Sequence, residues 1–426
     1  MARTERRDAG LIGTSARARQ DDLLDEAARQ FNSRGVTQTS LTEISDRLGV
    51  SRAALYYYVE DREDLVFKVY RRSLEVLARH LGEAAQTGRE TLDIVDQLIA
   101  TSLDPVEPEI AALSELGLLR RQEREVVLAL YEGIVARLAG LLEAGASVGE
   151  ARSCDYDTAA RCIISMIFWV PLAERWNAPT PIDRQAIVRF TCDLARWGVA
   201  ARRSRSSRGP EIDLSPLLPR ATAAFDREGE RENRRERILL VASRLFNAKG
   251  IDTTSLDEIA SDLGTNKKAL YRYVGDKQAL ISACYERAFK IAFFISDETG
   301  RLGLSAADEM DLQQRTHALA QQNPDICPLR HLSGLDALSP QARSSVLDAA
   351  GRFTAISRAR ATAAQREGDM RGMDVEAFLL LGTGPSAWLG KPLRDHDVSQ
   401  RAQTAESVAD FVKLGLAPLP GGVGQS

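Results

Sequence analysis

Apolar residues recur with helical spacing near the start of the chain and again in its middle. In the first stretch they are Leu23, Leu24, Ala27, Ala28 and Phe31, and in the second they are Ile238, Ala242, Leu245 and Phe246. Each stretch is followed by a glycine, Gly35 or Gly250. Because glycine readily takes the left-handed conformation at which helices end, the pattern predicts an amphipathic helix at both places.

Two shorter helices are predicted after each of these. Ser40 and Ser255 each stand three residues before a glutamate. This spacing is typical of a capping box, in which the serine accepts from the third amide and the glutamate returns to the cap amide. The helix so opened ends at Gly49 or at Gly264, and the serine or asparagine two residues later can cap a third helix. Such a trio, with a tight glycine turn between its last two helices, describes a helix-turn-helix.

The two trios belong to a tandem duplication. With an offset of 215 residues, residues 24–65 align with 239–280 without a gap, and nearly half of the positions are identical. The similarity returns near the end of each half, where Asp193–Ala200 resembles Asp410–Ala417. We therefore divide the chain into a first helix-turn-helix domain (16–66), a first helical body (67–201), a linker rich in Arg, Ser and Pro (202–230), a second helix-turn-helix domain (231–281) and a second helical body (282–418).

The bodies also have the hydrophobic pattern of helices. Residues 80–200 and 295–417 show apolar helical periodicity without strand-like alternation, so the predicted fold class is all-α. The segment Cys162–Ala173 is apolar on every face, and Glu376–Leu389 occupies the corresponding place in the second copy. Helices of this kind are buried in a core or in an interface.

The repeated segment resembles a known family. Both copies carry F-x-x-x-G-x-x-x-T-S-L-x-E-I-x-x-x-L-G-V-S-x-x-x-L-Y-x-Y-V-x-x-(K/R)-x-x-L, from Phe31 to Leu65 and from Phe246 to Leu280, with Thr265-Asn266 in place of Val-Ser. This pattern is similar to that of the TetR family of bacterial transcriptional regulators. The resemblance implies two tandem units, each with a DNA-binding head and a helical body that holds an inducer pocket and a dimer interface. A duplicated chain can form that interface internally, as a single-chain pseudodimer, and association of two chains stays open.

The resemblance also implies which residues face DNA. They lie at the start of the second helix and on the exposed side of the third: Ser40, Thr42, Arg52, Ala53, Tyr56, Tyr57, Tyr58 and Arg62 in the first copy, and Ser255, Lys267, Lys268, Tyr271, Arg272, Tyr273 and Lys277 in the second. Tyrosine, arginine and lysine suit phosphate contacts, and the basic residues can also read guanine edges. Asp257, also at the start of its helix, departs from this character because an acid repels phosphate. Tyr58 and Tyr273 can alternatively be core aromatics, and the cations an ordinary solvated face.

Charge distinguishes the two faces. The 426 residues carry a net charge of −4, which gives no global sign of nucleic-acid binding but does not exclude a local basic face. From Val50 to Arg62 two basic and two acidic residues cancel, whereas from Thr265 to Lys277 four basic residues oppose one acid, for a net charge of +3. We therefore predict that the second copy neutralises more phosphate charge.

The bodies offer candidates for an effector pocket, although core packing explains the same residues. The candidates are Tyr131, Met166, Phe168, Trp169, Phe353, Phe378 and Trp388. The chemical identity of the effector does not follow from them. With four histidines in 426 residues, a metal effector is disfavoured, and no cofactor is expected.

Other classes of protein fit poorly. Gly382-Thr383-Gly384 with Gly390-Lys391 lacks the spacing, the Ser or Thr and the preceding strand of a phosphate-binding loop. No apolar run is long enough to span a bilayer, and five scattered cysteines indicate a reduced, cytoplasmic chain. We expect a sequence-specific DNA-binding regulator and not an enzyme, most simply a repressor released by a small molecule. The alternative is that the first helix-turn-helix is degenerate and serves as a protein-interaction module.

Overall fold

The structure, a computed structural model, describes residues 5–177, 183–204, 209–219, 227–330, 335, 338–391 and 398–420. Over these ranges the chain is built from α-helices and short 3₁₀ turns, with one isolated β-bridge between Ala200 and Met370. The all-α fold class is therefore confirmed. None of the described helices is long and apolar enough to cross a membrane.

The first half contains eight α-helices within the described ranges. They are α1 (Glu5–Arg34), α2 (Leu41–Leu48), α3 (Arg52–Leu55), α4 (Arg62–Ala85), α5 (Thr91–Ser102), α6 (Arg121–Ser147), α7 (Tyr156–Asn177) and α8 (Arg184–Trp197), with a 3₁₀ turn at Leu116–Leu118 before α6. The first three form the predicted helix-turn-helix head.

The second half repeats this order with two differences. Its helices are α9 (Arg227–Lys249), α10 (Leu256–Asp262), α11 (Lys267–Val274), α12 (Lys277–Gly300), α13 (Ala306–Gln322), α14 (Pro340–Glu367), α15 (Val375–Leu381) and α16 (Val398–Leu414). The third helix of the head is eight residues long instead of four. The counterpart of the long α7 stops at Leu381, where Gly382 and a Pro385-containing 3₁₀ turn follow, since proline cannot donate to a continuing helix.

The local signals in the heads are confirmed with one correction. The Ser40 hydroxyl accepts from the amide of Glu43 (3.4 Å), and Ser255 accepts from that of Glu258 (3.1 Å). The two glutamates, however, do not complete a capping box: the carboxylate of Glu43 pairs with Arg34 (3.0 Å) at the end of α1, and Glu258 pairs likewise with a lysine of α9. Each second helix is thus tied to the first helix of its head.

The linker lies against the second half. Leu214 and Leu217 pack on an apolar cluster that includes Ile291 and Ile295 of α12, and the carbonyl of Pro210 accepts from the guanidinium of Arg315 (2.6 Å). A second junction joins the halves near the heads, where Gly117 approaches the backbone of Lys249 so closely that a Cβ there would lie 2.4 Å from its Cα. The head of the second copy is therefore held partly by the first body.

The ends of the two halves contact each other reciprocally. The amide of Val199 donates to the carbonyl of Val412 (2.9 Å), and the amide of Leu416 donates to that of Ala195 (2.9 Å). With an offset of 217 residues each bond maps onto the other. The same mapping relates Ala200 N to Lys413 O (3.0 Å) and Ala417 N to Arg196 O (2.8 Å). These are the segments whose sequences resemble each other.

Two glycines allow this approach. Gly198 and Gly415 both have positive φ angles, 65° and 61°. A Cβ on Gly198 would lie 2.4 Å from the carbonyl oxygen of Lys413, and one on Gly415 would lie 2.5 Å from the amide nitrogen of Gly198. Any side chain at either position would force the two backbones apart.

Two buried or half-buried arginines repeat the same reciprocity. Arg152 donates from its amide to the carbonyl of Leu416 (2.8 Å) and forms an ion pair with Asp410 (2.6 Å). Arg371 donates from its amide to the carbonyl of Val199 (3.0 Å) and lies 3.8 Å from Asp193. The Nε of each also donates to the carbonyl of the opposite glycine, Gly415 or Gly198. No local sequence signal marks these arginines, because their partners lie more than 170 residues away.

An apolar core continues across the junction. One cluster of buried side chains extends from α1 and α4 through α7 and α8 into α15 and α16, and includes Phe190, Phe378 and Phe411. Within it, Trp169 Nε1 donates to the carbonyl of Leu380 (2.8 Å), and the Ser165 hydroxyl donates to that of Gly384 (2.6 Å). The apolar segments Cys162–Ala173 and Glu376–Leu389 therefore meet each other.

Candidate nucleic-acid interface and ligand cavity

The predicted DNA-facing positions lie mainly on the surface of the two heads. Those that are exposed are Thr42, Arg52, Ala53, Tyr56, Tyr57, Arg62, Ser255, Lys267, Lys268, Tyr271 and Arg272, and those that are half-buried are Ser40, Tyr58, Tyr273 and Lys277. Tyr57 is 92% exposed, and Tyr56 and Tyr271 are about half exposed. Large exposed aromatics unsupported by a neighbouring surface are typical of a binding face.

The half-buried tyrosines have a partly structural role. Tyr58 and Tyr273 pack against the cores of their heads. The Tyr273 hydroxyl also accepts from the guanidinium of Arg234 (3.4 Å). Each of these residues therefore fits both predicted roles, because its ring packs in the core while its hydroxyl lies near the surface.

Arg62 and Lys277 hold equivalent positions and also act within the head. Arg62 donates to the carbonyl of Val36 (2.5 Å), and Lys277 donates to that of Asp252 (3.3 Å), in the loops before the second helices. Burial lowers the pKa of Lys277 from its usual range. Each cation thus fixes the loop that leads into the helix-turn-helix, so removing it would disturb the head as well as any phosphate contact.

The third helices present their cations differently. In the first copy, Arg52 lies over the ring of Tyr56, 5.9 Å from its centroid. In the second, the ammonium group of Lys267 pairs with Asp257 (2.8 Å), and this hydrogen bond raises the lysine pKa. The acid that departs from the family pattern therefore offsets part of the +3 charge. Lys268 and Arg272 are exposed on the same helix.

The second body contains a cavity beside the junction. It has a volume of about 320 Å³ and lies among α12, α13, α14 and α15 of the second half. Trp169 and Ala173 of α7 close it from the first half. Its size falls within the range of small-molecule pockets, ~300–1,000 Å³.

Three of the seven predicted pocket residues line this cavity. They are Trp169, Phe353 and Phe378. Tyr131, Met166, Phe168 and Trp388 are buried away from its walls. Tyr131 and Trp388 sandwich the guanidinium of Arg161, at 5.7 and 5.6 Å from the ring centroids.

Arg161 is the reason that this aromatic group does not form a pocket. Its side chain is 1% exposed and binds the carboxylate of Glu132 through both terminal nitrogens (2.9 and 2.6 Å). Asp157 accepts from its Nε (2.9 Å), and these carboxylates raise the arginine pKa against the effect of burial. A buried charge with satisfied partners therefore fills the space beside Tyr131.

The cavity has direct connections to the second head. Helix α12 begins at the end of the head, capped by Asp276, and contributes Ala288, Phe289 and Ala292 to the cavity wall. Arg330, which also lines the cavity, donates from Nη2 to the carbonyl of Asn247 (2.6 Å) in the last turn of α9. Arg330 was not among the predicted site residues, since it carries no recognisable motif. Among the described residues no group of His, Cys, Asp and Glu has the arrangement of a metal site.

Comparisons with known proteins find similar bacterial regulators. A family model described as "Bacterial regulatory proteins, tetR family" matches residues 23–69 and 238–284. The transcriptional repressor KstR2 of Rhodococcus jostii is 29% identical over 167 residues, which cover 38% of this chain and 80% of the relative. The transcriptional regulator AcrR of Shigella flexneri is 27% identical over 176 residues, covering 38% of this chain and 80% of the relative. A solved structure of the TetR-family regulator PfmR from Thermus thermophilus has 24% identity and a TM-score of 0.35, covering 42% of this chain and 96% of that one.

The family model matches both heads, so the molecule is of the helix-turn-helix class of transcriptional regulators. The chain belongs to the TetR family and carries two tandem copies of the family's DNA-binding segment. Both of these curated relatives are regulators and not enzymes.

Proposed function

We propose that the chain is a covalent pseudodimer, a sequence-specific repressor whose two heads read two half-sites and which a small-molecule effector releases from DNA. The observation that carries this proposal is the reciprocal junction at Gly198 and Gly415. A two-fold interface pairs the same surface patch on both subunits, so that each contact occurs twice. Here the doubled contacts join two halves of one chain.

The chemistry of the junction supports an interface that stays closed. Its backbone hydrogen bonds, the Arg152–Asp410 ion pair and the apolar cluster around Phe378 and Phe411 are buried together. Opening it would expose that apolar surface and leave buried donors without partners. The same face is then occupied and no longer offered to a second chain.

The proposed DNA contacts are the exposed residues of the second and third helices in each head. Two heads in one chain would span half-sites about 34–36 Å apart on one face of the duplex. Because the two faces differ in charge and in helix length, the operator need not be a perfect palindrome. The domain limits at 66, 201, 230 and 281 are part of this proposal, and the cytoplasm is where such a regulator would work.

Release would begin in the cavity of the second body. An effector there touches α12, which is continuous with the second head, and Trp169, which hydrogen-bonds across the junction. An effector that binds one arrangement of these helices more tightly shifts the population toward it. A change in the spacing or tilt of the heads then lowers the affinity for two half-sites at fixed separation.

The test is to select the genomic fragments that the purified chain binds and to measure both the footprint and the mass of the complex. We expect a single chain on each operator and a footprint covering two half-sites that differ in sequence. Two chains on each operator would overturn the pseudodimer. A footprint with two identical half-sites of equal strength would contradict the proposed difference between the heads.

A second candidate keeps the regulator but changes the role of the first head. It is favoured by the neutral charge of residues 50–62 and by the single turn of α3, beside which Tyr57 is 92% exposed. On this view the first head binds a protein partner. Substituting Arg52 and Tyr57 separates the candidates: loss of operator binding supports a DNA-reading head, and unchanged binding with a one-half-site footprint supports the interaction module.

A further inference from the structure

Most residues in the walls of the cavity are apolar, but the lining also includes glutamine, threonine and serine side chains, His317 and three charged residues, Glu309, Arg330 and Arg360. On one side the carboxylate of Glu309 pairs with Arg360 (3.1 Å). The same guanidinium donates to the hydroxyl of Ser296 (2.7 Å). This ion pair is therefore internally satisfied, and it does not call for a charged ligand.

Arg330 at the other side is not satisfied. Among the described residues no carboxylate pairs with it, and its buried Nε has no hydrogen-bond partner. Its guanidinium donates to one neutral acceptor, the carbonyl of Asn247. Burial without a counter-ion lowers the pKa of Arg330 to about 10. A guanidinium offers five donors, and leaving a buried donor unpaired is costly.

A second cation reinforces the positive potential at this end. Lys391 lies two residues beyond Leu389, which lines the cavity. Burial, with the repulsion of Arg330, lowers the pKa of Lys391 to about 7. In the described part of the chain, neither of these neighbouring cations has an acidic partner. They therefore favour the binding of a ligand that carries a negative charge.

The equivalent place in the first half has no counterpart of Arg330. Asn32 there donates to the carbonyl of Ile110 (2.9 Å) and accepts from the amide of Ala112 (3.0 Å). Asn247 makes the same two bonds, with Pro328 (2.9 Å) and Arg330 (3.0 Å). The backbone clamp between head and body is thus common to both halves, whereas the guanidinium is an addition where the first half has a buried alanine.

From this juxtaposition of an apolar cavity with an unpaired guanidinium we infer that the effector is an amphipathic acid, with an apolar body and a single carboxylate that binds Arg330. The inference rests on the proposed regulator function and adds the class of its ligand. A carboxylate binds a guanidinium through two parallel hydrogen bonds and displaces a neutral carbonyl acceptor. The carbonyl of Asn247, in the last turn of α9, would then lose its cap, since terminal carbonyls of a helix have no partner within it.

The experiment uses the full chain and two sets of matched probes. Octanoate, 1-octanol and octylamine share one aliphatic tail, and 3-phenylpropionate, 3-phenylpropanol and 3-phenylpropylamine share one aromatic tail. Binding is measured by calorimetry at pH 6, below the pKa of Lys391, so that both cations are charged. We expect the carboxylate of at least one set to bind about tenfold or more tighter than its alcohol, and the amine to bind most weakly.

Two variants test whether the preference for the carboxylate depends on Arg330. Arg330→Gln should reduce the difference between acid and alcohol to within about twofold, while binding of the alcohol stays unchanged. The control is Arg352→Gln, which removes the same charge from an exposed position on α14 and should keep the preference. If Arg330→Gln does not fold, Lys391→Gln is measured instead. It should also reduce the difference in affinity between the acid and its alcohol.

The outcomes are separable from those of the proposed function. Equal binding of acid and alcohol, tighter binding of the amine, a preference unchanged in Arg330→Gln, or no binding of any probe would each overturn the inference. A chain that binds operator DNA under any of these outcomes remains a regulator with another ligand. A chain that prefers the acids but selects no genomic fragment keeps the ligand class and loses the regulator function.

Discussion

Helix α6 in the first body and α14 in the second can be compared position by position, because both begin at an identifiable N-cap, Arg120 and Ser339. Counted from these caps, Tyr131, Leu138 and Leu142 of α6 correspond to Ala350, Ser357 and Ala361 of α14. The three large side chains are at most 1% exposed, whereas the three small ones line the cavity. One repeat therefore yields a filled body or a hollow one according to a few side-chain volumes.

The two heads also differ from each other, in the length of the third helix and in the charge of its face. The second copy combines the cavity with the longer recognition helix and the more basic face, while the first combines the filled body with a single-turn α3 and a neutral face. Duplication within one chain allows this, because a homodimer must present two identical subunits. On the proposed function, the second half senses and binds, and the first supplies a fixed frame and the other half-site. Four predictions test this difference between the two halves.

The largest effect is expected at the one place where the halves remain alike. Gly198→Ala adds a methyl group against the backbone of Lys413 in a left-handed conformation, and Gly415→Ala does the same against Gly198. Each should cost about 3–5 kcal/mol of unfolding free energy in urea titrations. The control is Gly149→Ala, which has a φ of 83° but open space around it, and should cost only about 1 kcal/mol. A loss at Gly198 much larger than at Gly415 would show that the junction is not two-fold.

The next prediction exchanges side-chain volume between the bodies. Leu138→Ala empties part of the first body and should destabilise the chain by about 3 kcal/mol, whereas the equivalent Ser357→Leu fills the second and should change stability by less than about 1 kcal/mol. Ser357→Leu should also weaken probe binding tenfold or more, with operator affinity unchanged in the absence of ligand. If Ser357→Leu costs as much as Leu138→Ala, the second body is not hollow in solution, and the comparison fails.

The helical character of the heads and of the bodies was predictable from sequence, whereas the cavity was predicted only in part, for a physical reason. The caps Ser40 and Ser255 and the stops Gly35 and Gly250 act within a few residues, so their signals can be read locally. The charged face of α11 could also be anticipated, but not the pairing of Lys267 with Asp257.

The cavity depends on distant partners. Aromatic residues suggested a pocket, yet Tyr131 and Trp388 enclose Arg161. Trp169, Phe353 and Phe378 do line the cavity, but its open space also depends on alanines and serines, which leave no mark on hydrophobic periodicity. A role for Arg330 can be inferred only from the folded chain, in which Asn247, 83 residues away in sequence, contacts it. An unpaired cation is a property of the folded neighbourhood and not of a sequence window.

A smaller effect is expected from Lys391, the half-buried cation beside Arg330. Lys391→Met removes an ammonium group whose pKa falls from 10.5 to about 7 on folding. The unfolded chain therefore holds more protons between these values, so that stability rises with pH in that interval and the full cost is present below pH 7. The substitution should stabilise the ligand-free chain by about 1–2 kcal/mol at pH 6, and this gain should vanish near pH 11. Lys290→Met, at an exposed site on α12, is the control, and an equal gain at both pH values would contradict the prediction.

The smallest effect concerns the charge difference between the recognition faces. The slope of log affinity against log salt should decrease by about 0.9 for each phosphate that the protein no longer neutralises. Neutralising Lys267 and Lys268 together should flatten this slope more than Arg52→Gln does, and Lys268→Gln should have a larger effect than Lys267→Gln because Asp257 already holds Lys267 at 2.8 Å. Asp257→Asn should act in the opposite direction and steepen the slope, since it frees Lys267 and removes an acid that repels phosphate. Equal slopes for the substitutions in the two heads would mean that both faces neutralise DNA alike, and the division between the halves would then be confined to their bodies.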